Sequence, residues 1–137
     1  MRRETELWLR TAEEDLVDSK SFLASKRYFR SAFFAQQAVE KVLKALFIEM
    51  AREDPPKIHS VTELYGILKE KTGFKLSDEL EEQLFVLNKY YTVSRYPDAA
   101  NGLPSESVDR IEAERALKIS EEIFDYARGF IRNKEKS

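Results

Sequence analysis

The stretch FFAQQAVEKVLKAL at residues 33–46 constrains the fold more than any other part of the chain. Its apolar residues recur at three- and four-residue spacing, the pattern of a helix. With Ala35 at the centre of the buried arc, Ala32, Ala38, Val39, Val42 and Leu46 lie within about 60° of it. Phe33 and Ile48 fall outside this arc, on the nominally polar side. A helix that is apolar nearly all round is the centre of a bundle or part of a second interface. Alanines at 32, 35, 38 and 45 would let neighbouring helices approach closely. The segment is therefore expected to be the central helix of an all-α fold, with some face left for a second chain.

Two glutamines interrupt this apolar run. Gln36 falls near ~100° from Ala35, between Leu43 on one side and Phe29 and Phe47 on the other. A buried amide must find hydrogen-bond partners, so Gln36 is expected to be buried and bonded. Gln37 falls near ~200°, beside Lys41 and Lys44, and is expected at the surface. Asp15 is a second buried polar candidate, since it lies between Trp8 and Phe22 on the edge of an apolar arc. By residue type, Lys41, Arg95 and the Gln36 amide are its candidate partners. Asp15 is either a polar cross-link between helices or a carboxylate of a site.

Helical periodicity accounts for nearly all the rest. A first helix is expected from about Glu4 to Ala24, and the central one from about Tyr28 to Ala51, ending before Pro55-Pro56. A third starts at Ser60, which has the capping-box spacing with Glu63, and stops at Gly73. A fourth starts near Ser77 and carries Leu80, Leu84, Leu87 and Tyr91. A fifth runs from about Asp109 to Arg132, ahead of a frayed tail. The chain of 137 residues is long enough for one domain, residues 1–137, and too short for two of ordinary size. The expected fold is an all-α up-and-down bundle of four to five helices.

Composition removes several functions. With no cysteine there is no disulfide scaffold, thiolate metal site or cysteine nucleophile. One histidine, His59, rules out a multi-histidine zinc site within the chain. No apolar run approaches the roughly 20 residues that cross a bilayer, and the charged start has no signal core, so a cytoplasmic protein is expected. A net charge of −2 argues against a general polyanion binder and leaves room for a local basic patch.

The chemistry concentrates at the end of the fourth helix, in NKYYTVSRYPDA, which opens the one long connection, SRYPDAANGLPSES. Asn88 and Arg95 fall two turns apart on nearly the same edge. Pro97 should end the helix at or before Tyr96, leaving Arg95 at its rim. A guanidinium there could bind phosphate bidentately while a tyrosine stacks on a base. The alternative is an arginine paired with Asp98 or Asp15, with tyrosines packing the bundle end. His59 precedes the cap serine and is expected to close the corner between the second and third helices.

These residues also carry a resemblance. Trp8, Ala12, Asp15-Leu16, Tyr28, Ala32, Phe34, QQAVEKVLKA, His59-Ser60, Leu64, Tyr91 and RYP at 95–97 resemble the HEPN domain (higher eukaryote and prokaryote nucleotide-binding) over nearly the whole chain. The resemblance implies a helical bundle that dimerises, is encoded beside a minimal nucleotidyltransferase, and binds nucleotides or RNA. One branch of the family is a metal-independent ribonuclease whose motif is an arginine followed four to six residues later by a histidine. Arg95 matches the arginine, but the residues after it, Ala99, Ala100, Asn101 and Gly102, include no histidine.

The expected function is therefore a non-enzymatic nucleotide- or RNA-binding module of a toxin–antitoxin-like pair. Its partners would be a second copy and a nucleotidyltransferase subunit. Its nucleotide-binding residues would be Arg95, Tyr91, Tyr96, Asn88 and Asp15, with no catalytic residue, metal or cofactor. The alternatives are a ribonuclease toxin with a degenerate site, and a dimer that only holds a partner protein.

Overall fold

The computed structural model describes residues 1–96 and 102–136. Helix α1 spans Arg3–Ala24, α2 Tyr28–Leu46, α3 Val61–Thr72, α4 Asp78–Arg95 and α5 Arg110–Lys136. No strand occurs among the described residues. The helices form an all-α bundle around α2, which packs against each of the others. Its small and branched apolar residues explain that central place, since Ala32, Ala35, Ala38, Val39, Val42, Leu43, Ala45 and Leu46 are all completely buried.

The corner between α1 and α2 is tight. Lys26 takes a left-handed φ of 65°, its N–H donates to the Leu23 carbonyl, and the Arg27 N–H donates to that of Phe22 at 2.8 Å. This is the double-bonded helix ending that usually places glycine at the left-handed position. Beyond the corner, Ser19 and Ser31 exchange hydroxyl-to-carbonyl bonds of 2.7 and 2.8 Å, stitching α1 to α2 inside the core. On the other side of α2, the Ser120 hydroxyl of α5 donates to the Ala35 carbonyl at 2.8 Å.

Local signals set the remaining ends. Ser60 accepts from the Glu63 N–H and Ser77 from the Leu80 N–H, capping α3 and α4, and Gly73 takes the left-handed φ of 77° that stops α3.

Three details depart from the periodicity. Helix α2 gives way to a π-helical turn, Phe47–Ala51, where each residue advances by less than the ~100° of an α-helix. Phe47 and Ile48 both turn inward there, so Ile48 is buried within this chain and is not a free interface residue. In α4 the buried tyrosine is Tyr90, whose hydroxyl donates to Glu112, while Tyr91 lies at the edge. Helix α5 continues through Lys136 where a frayed tail was expected, and the Met1 ammonium pairs with Glu135 at 3.1 Å.

Leu43 is completely buried in α2. Leu43→Ala is expected to lower the stability read from urea unfolding by about 2–5 kcal/mol, since α2 is enclosed by neighbours that cannot all collapse into the gap.

Candidate functional site

Gln36 is completely buried, and its side-chain amide donates to the His59 carbonyl at 3.1 Å. Its oxygen accepts from the Gln37 amide at 2.7 Å. The adjacent glutamines thus form one unit, and Gln37 is a half-buried supporting residue rather than an ordinary surface one. The bond from Gln36 anchors the connection between α2 and α3 at His59, whose backbone closes that corner.

One turn further along the same edge of α2 is Glu40, also buried. Its carboxylate lies 3.2 Å from the His59 Nδ1 and 3.0 Å from the Lys44 ammonium. Lys44 in turn sits over the Trp8 ring of α1, 5.8 Å from its centroid. A buried carboxylate needs such company, and two neighbouring cations or donors supply it. Sequence reasoning missed Glu40. The available signal was its position four residues after Gln36, which puts a second polar group at the level of the same corner.

The His59 backbone is held and its ring is not enclosed, with 47% of the side chain exposed. The imidazole stacks on Tyr91 of α4, with centroids 4.5 Å apart and planes at 15°. Arg95, one turn along α4, places its guanidinium carbon 5.3 Å from the centroid of the same Tyr91 ring. Tyr91 therefore brings His59 and Arg95 to one aromatic platform. Arg95 is exposed and forms no ion pair with the described residues. Tyr96 caps the end of α4 and is 65% exposed.

The other two expected site residues are engaged structurally. Asn88 accepts from the Val61 N–H at 2.9 Å and donates to the Thr62 hydroxyl, tying α4 to the start of α3. Asp15 is buried and pairs with Lys41 at 2.6 Å. Burial raises its pKa above the ordinary carboxylate value, with the Lys41 ammonium pulling it back. Of its three candidate partners, the structure selects Lys41, while the Gln36 amide goes to His59. Asp98, the other possible partner of Arg95, and Pro97, Ala99, Ala100 and Asn101 lie outside the described residues. Among the described residues no group of acids and histidine stands ready to hold a metal ion. No helix among them is long and apolar enough to cross a membrane.

The chain matches the HEPN domain model over residues 5–130 and belongs to that family. It is 28% identical to a Methanocaldococcus jannaschii protein named "Putative toxin MJ1304", over 93% of this chain and 88% of that protein. Its fold is similar to that of TT1696 from Thermus thermophilus, with TM-score 0.82 and 32% identity over 93% of this chain and 98% of that one. It is also similar to ST0689, described as an archaeal HEPN homologue, with TM-score 0.77 and 27% identity over 96% and 99% of the two chains.

Removing the Gln36 amide would leave the His59 carbonyl and the Gln37 amide without their partner. Gln36→Leu is expected to lower stability by about 1–3 kcal/mol in chemical unfolding. An unchanged midpoint would show that this bond does not hold the corner.

Proposed function

We propose that this HEPN domain is a non-enzymatic module that binds a nucleotide or RNA. It would act in the cytoplasm in a toxin–antitoxin-like pair with a minimal nucleotidyltransferase. The observation that carries the reading is Arg95, an exposed guanidinium without a carboxylate partner among the described residues, set beside an aromatic ring that His59 already backs. Guanidinium binds phosphate through two parallel hydrogen bonds, and a tyrosine or histidine ring offers a stacking surface to a base. Tyr96, exposed at the same helix end, would extend that surface. Asn88 and Asp15 would support the site by fixing α3 and α1. The relative named a toxin is consistent with the paired role.

The same reading includes a homodimer. Ile48 is not available to it, but Trp8, Phe22, Phe33 and Phe34 remain half-buried on α1 and α2. A specific interface would bury on the order of 1,200 Å² or more in total. A monomeric mass in light scattering at roughly tens of micromolar, where a dimer of about micromolar Kd would be populated, would remove the dimer from the proposal.

Arg95 is tested by calorimetric titration of ATP into the wild type, Arg95→Lys and Arg95→Ala. The lysine variant is expected to bind distinctly more weakly than the wild type despite its conserved charge, because the planar fork is lost. Equal affinities for all three would make Arg95 structural. The titration is repeated with the nucleotidyltransferase present, since that subunit would complete the site.

One observation favours the ribonuclease alternative. The fold brings an imidazole to the Arg95 platform from a different element, with buried Glu40 at Nδ1 and no hydrogen bond from Nε2 to the described residues. In that alternative His59 would take the 2′-hydroxyl proton and Arg95 would hold the phosphate. Single-stranded RNA incubated with the protein in EDTA is expected to stay intact. Cleavage that disappears in His59→Ala would select the ribonuclease.

A further inference from the structure

A second cationic cleft opens at the corner between α1 and α2, with a volume of about 580 Å³. Lys26, Arg27 and Arg30 line it, and no carboxylate does among the described residues. Tyr28 and Phe29 contribute aromatic walls, and Ser94, the residue before Arg95, reaches the cleft from α4. The cleft is therefore contiguous with the helix end that carries Arg95.

This charge arrangement does not serve the fold. None of the three cations forms an ion pair with a described residue, whereas Lys41, Lys44, Lys69, Lys71, Lys75 and Lys89 all do. All three sit at the start of α2, where the helix dipole is positive and no acidic residue occupies the first turn. Lys26 also holds the left-handed position that would favour glycine. Three clustered positive charges on a chain of net charge −2 are therefore kept against local stability. An external polyanion would supply the missing counter-charge. The concave shape and aromatic walls fit a chain that has both phosphates and bases better than a flat anionic surface.

We propose that this cleft holds the backbone of a single-stranded nucleic acid that continues past Arg95, with Arg27 and Arg30 contacting its phosphates and Lys26 flanking them. The proposal rests on the nucleotide-binding reading of the Arg95 platform and extends it: the ligand is a polymer rather than a lone nucleotide. Phosphate contacts of this kind release counterions, so they appear as salt dependence.

The test follows a short fluorescein-labelled oligouridylate by anisotropy over a range of salt concentrations, and ATP by calorimetry. Both probes are applied to the wild type, Arg95→Ala, Arg27→Gln/Arg30→Gln and Arg27→Glu/Arg30→Glu. Arg27 and Arg30 are exposed, and carboxylates suit the first turn of α2, so the charge-reversed chain is expected to fold, with melting curves as the check. The glutamine pair should weaken oligouridylate binding at low salt by roughly tenfold and flatten the logarithmic salt slope by about 1.4, two phosphate contacts at single-strand strength. ATP binding should be unchanged in it. Wild-type affinity and slope in both double variants would overturn the cleft and leave the Arg95 reading standing, as would a wild type that binds ATP and not the oligonucleotide. Loss of oligonucleotide binding in the double variants but not in Arg95→Ala would keep the cleft and overturn Arg95. Binding of neither probe by the wild type, alone and with the nucleotidyltransferase present, would overturn both.

Discussion

The bond from the buried Gln36 amide to the His59 carbonyl sets the terms for the rest of the structure. Helix α2 is enclosed on nearly every side, so any polar group on it must be satisfied by another part of the chain. Each such group consequently becomes a point of attachment. Ser31 fixes α1 through Ser19, the Ala35 carbonyl receives α5 through Ser120, and Gln36 and Glu40 hold the corner that leads to α3. An entirely apolar α2 would bury as much surface, but nothing in it would select the position of His59. The polar residues convert a hydrophobic centre into a registered one.

Registration matters because the platform is assembled from three elements. Glu40 belongs to α2, His59 to the connection before α3, and Tyr91 with Arg95 to α4. Asn88 joins the last two by accepting from the Val61 N–H, two residues after His59. The stack of His59 on Tyr91 is therefore flanked by a hydrogen bond from each side, one to the His59 carbonyl and one to the chain just beyond it. A ring held this way has its aromatic face positioned while much of its edge remains in solvent.

The helices were legible because their signals are local. Ser60, Gly73 and Ser77 act through the backbone within a few residues, and the apolar spacing of α1, α2 and α5 repeats over many turns. The face of Gln36 was legible for the same reason. What escaped was set by tertiary context or by small changes of angle. The π turn at Phe47–Ala51 rotates Ile48 inward, and no three- or four-residue rule contains that step. Gln37 reads as a surface residue until its neighbour's oxygen is seen to need a donor. Of the site, Arg95 and Tyr91 could be placed together because they are one turn apart on one helix. Glu40 and His59 could not, since their approach depends on how a connection of irregular backbone is pinned across the bundle.

The separate origins of Arg95 and His59 bear on what the platform can do. In a motif where the two residues follow each other closely in the chain, local backbone geometry fixes their separation. Here the separation depends on the His59–Tyr91 stack and on the Gln36 bond behind it. A proton transfer requires the base within hydrogen-bond reach of the hydroxyl, whereas phosphate binding and base stacking tolerate more variation in position. The Glu40 carboxylate also serves two groups, Lys44 as well as His59, so it orients the ring while part of its charge is taken up by the ammonium. The ring is thus placed by its stack on Tyr91 and by a carboxylate shared with a buried lysine, so the geometry of the platform is set by tertiary packing rather than by the backbone of one helix.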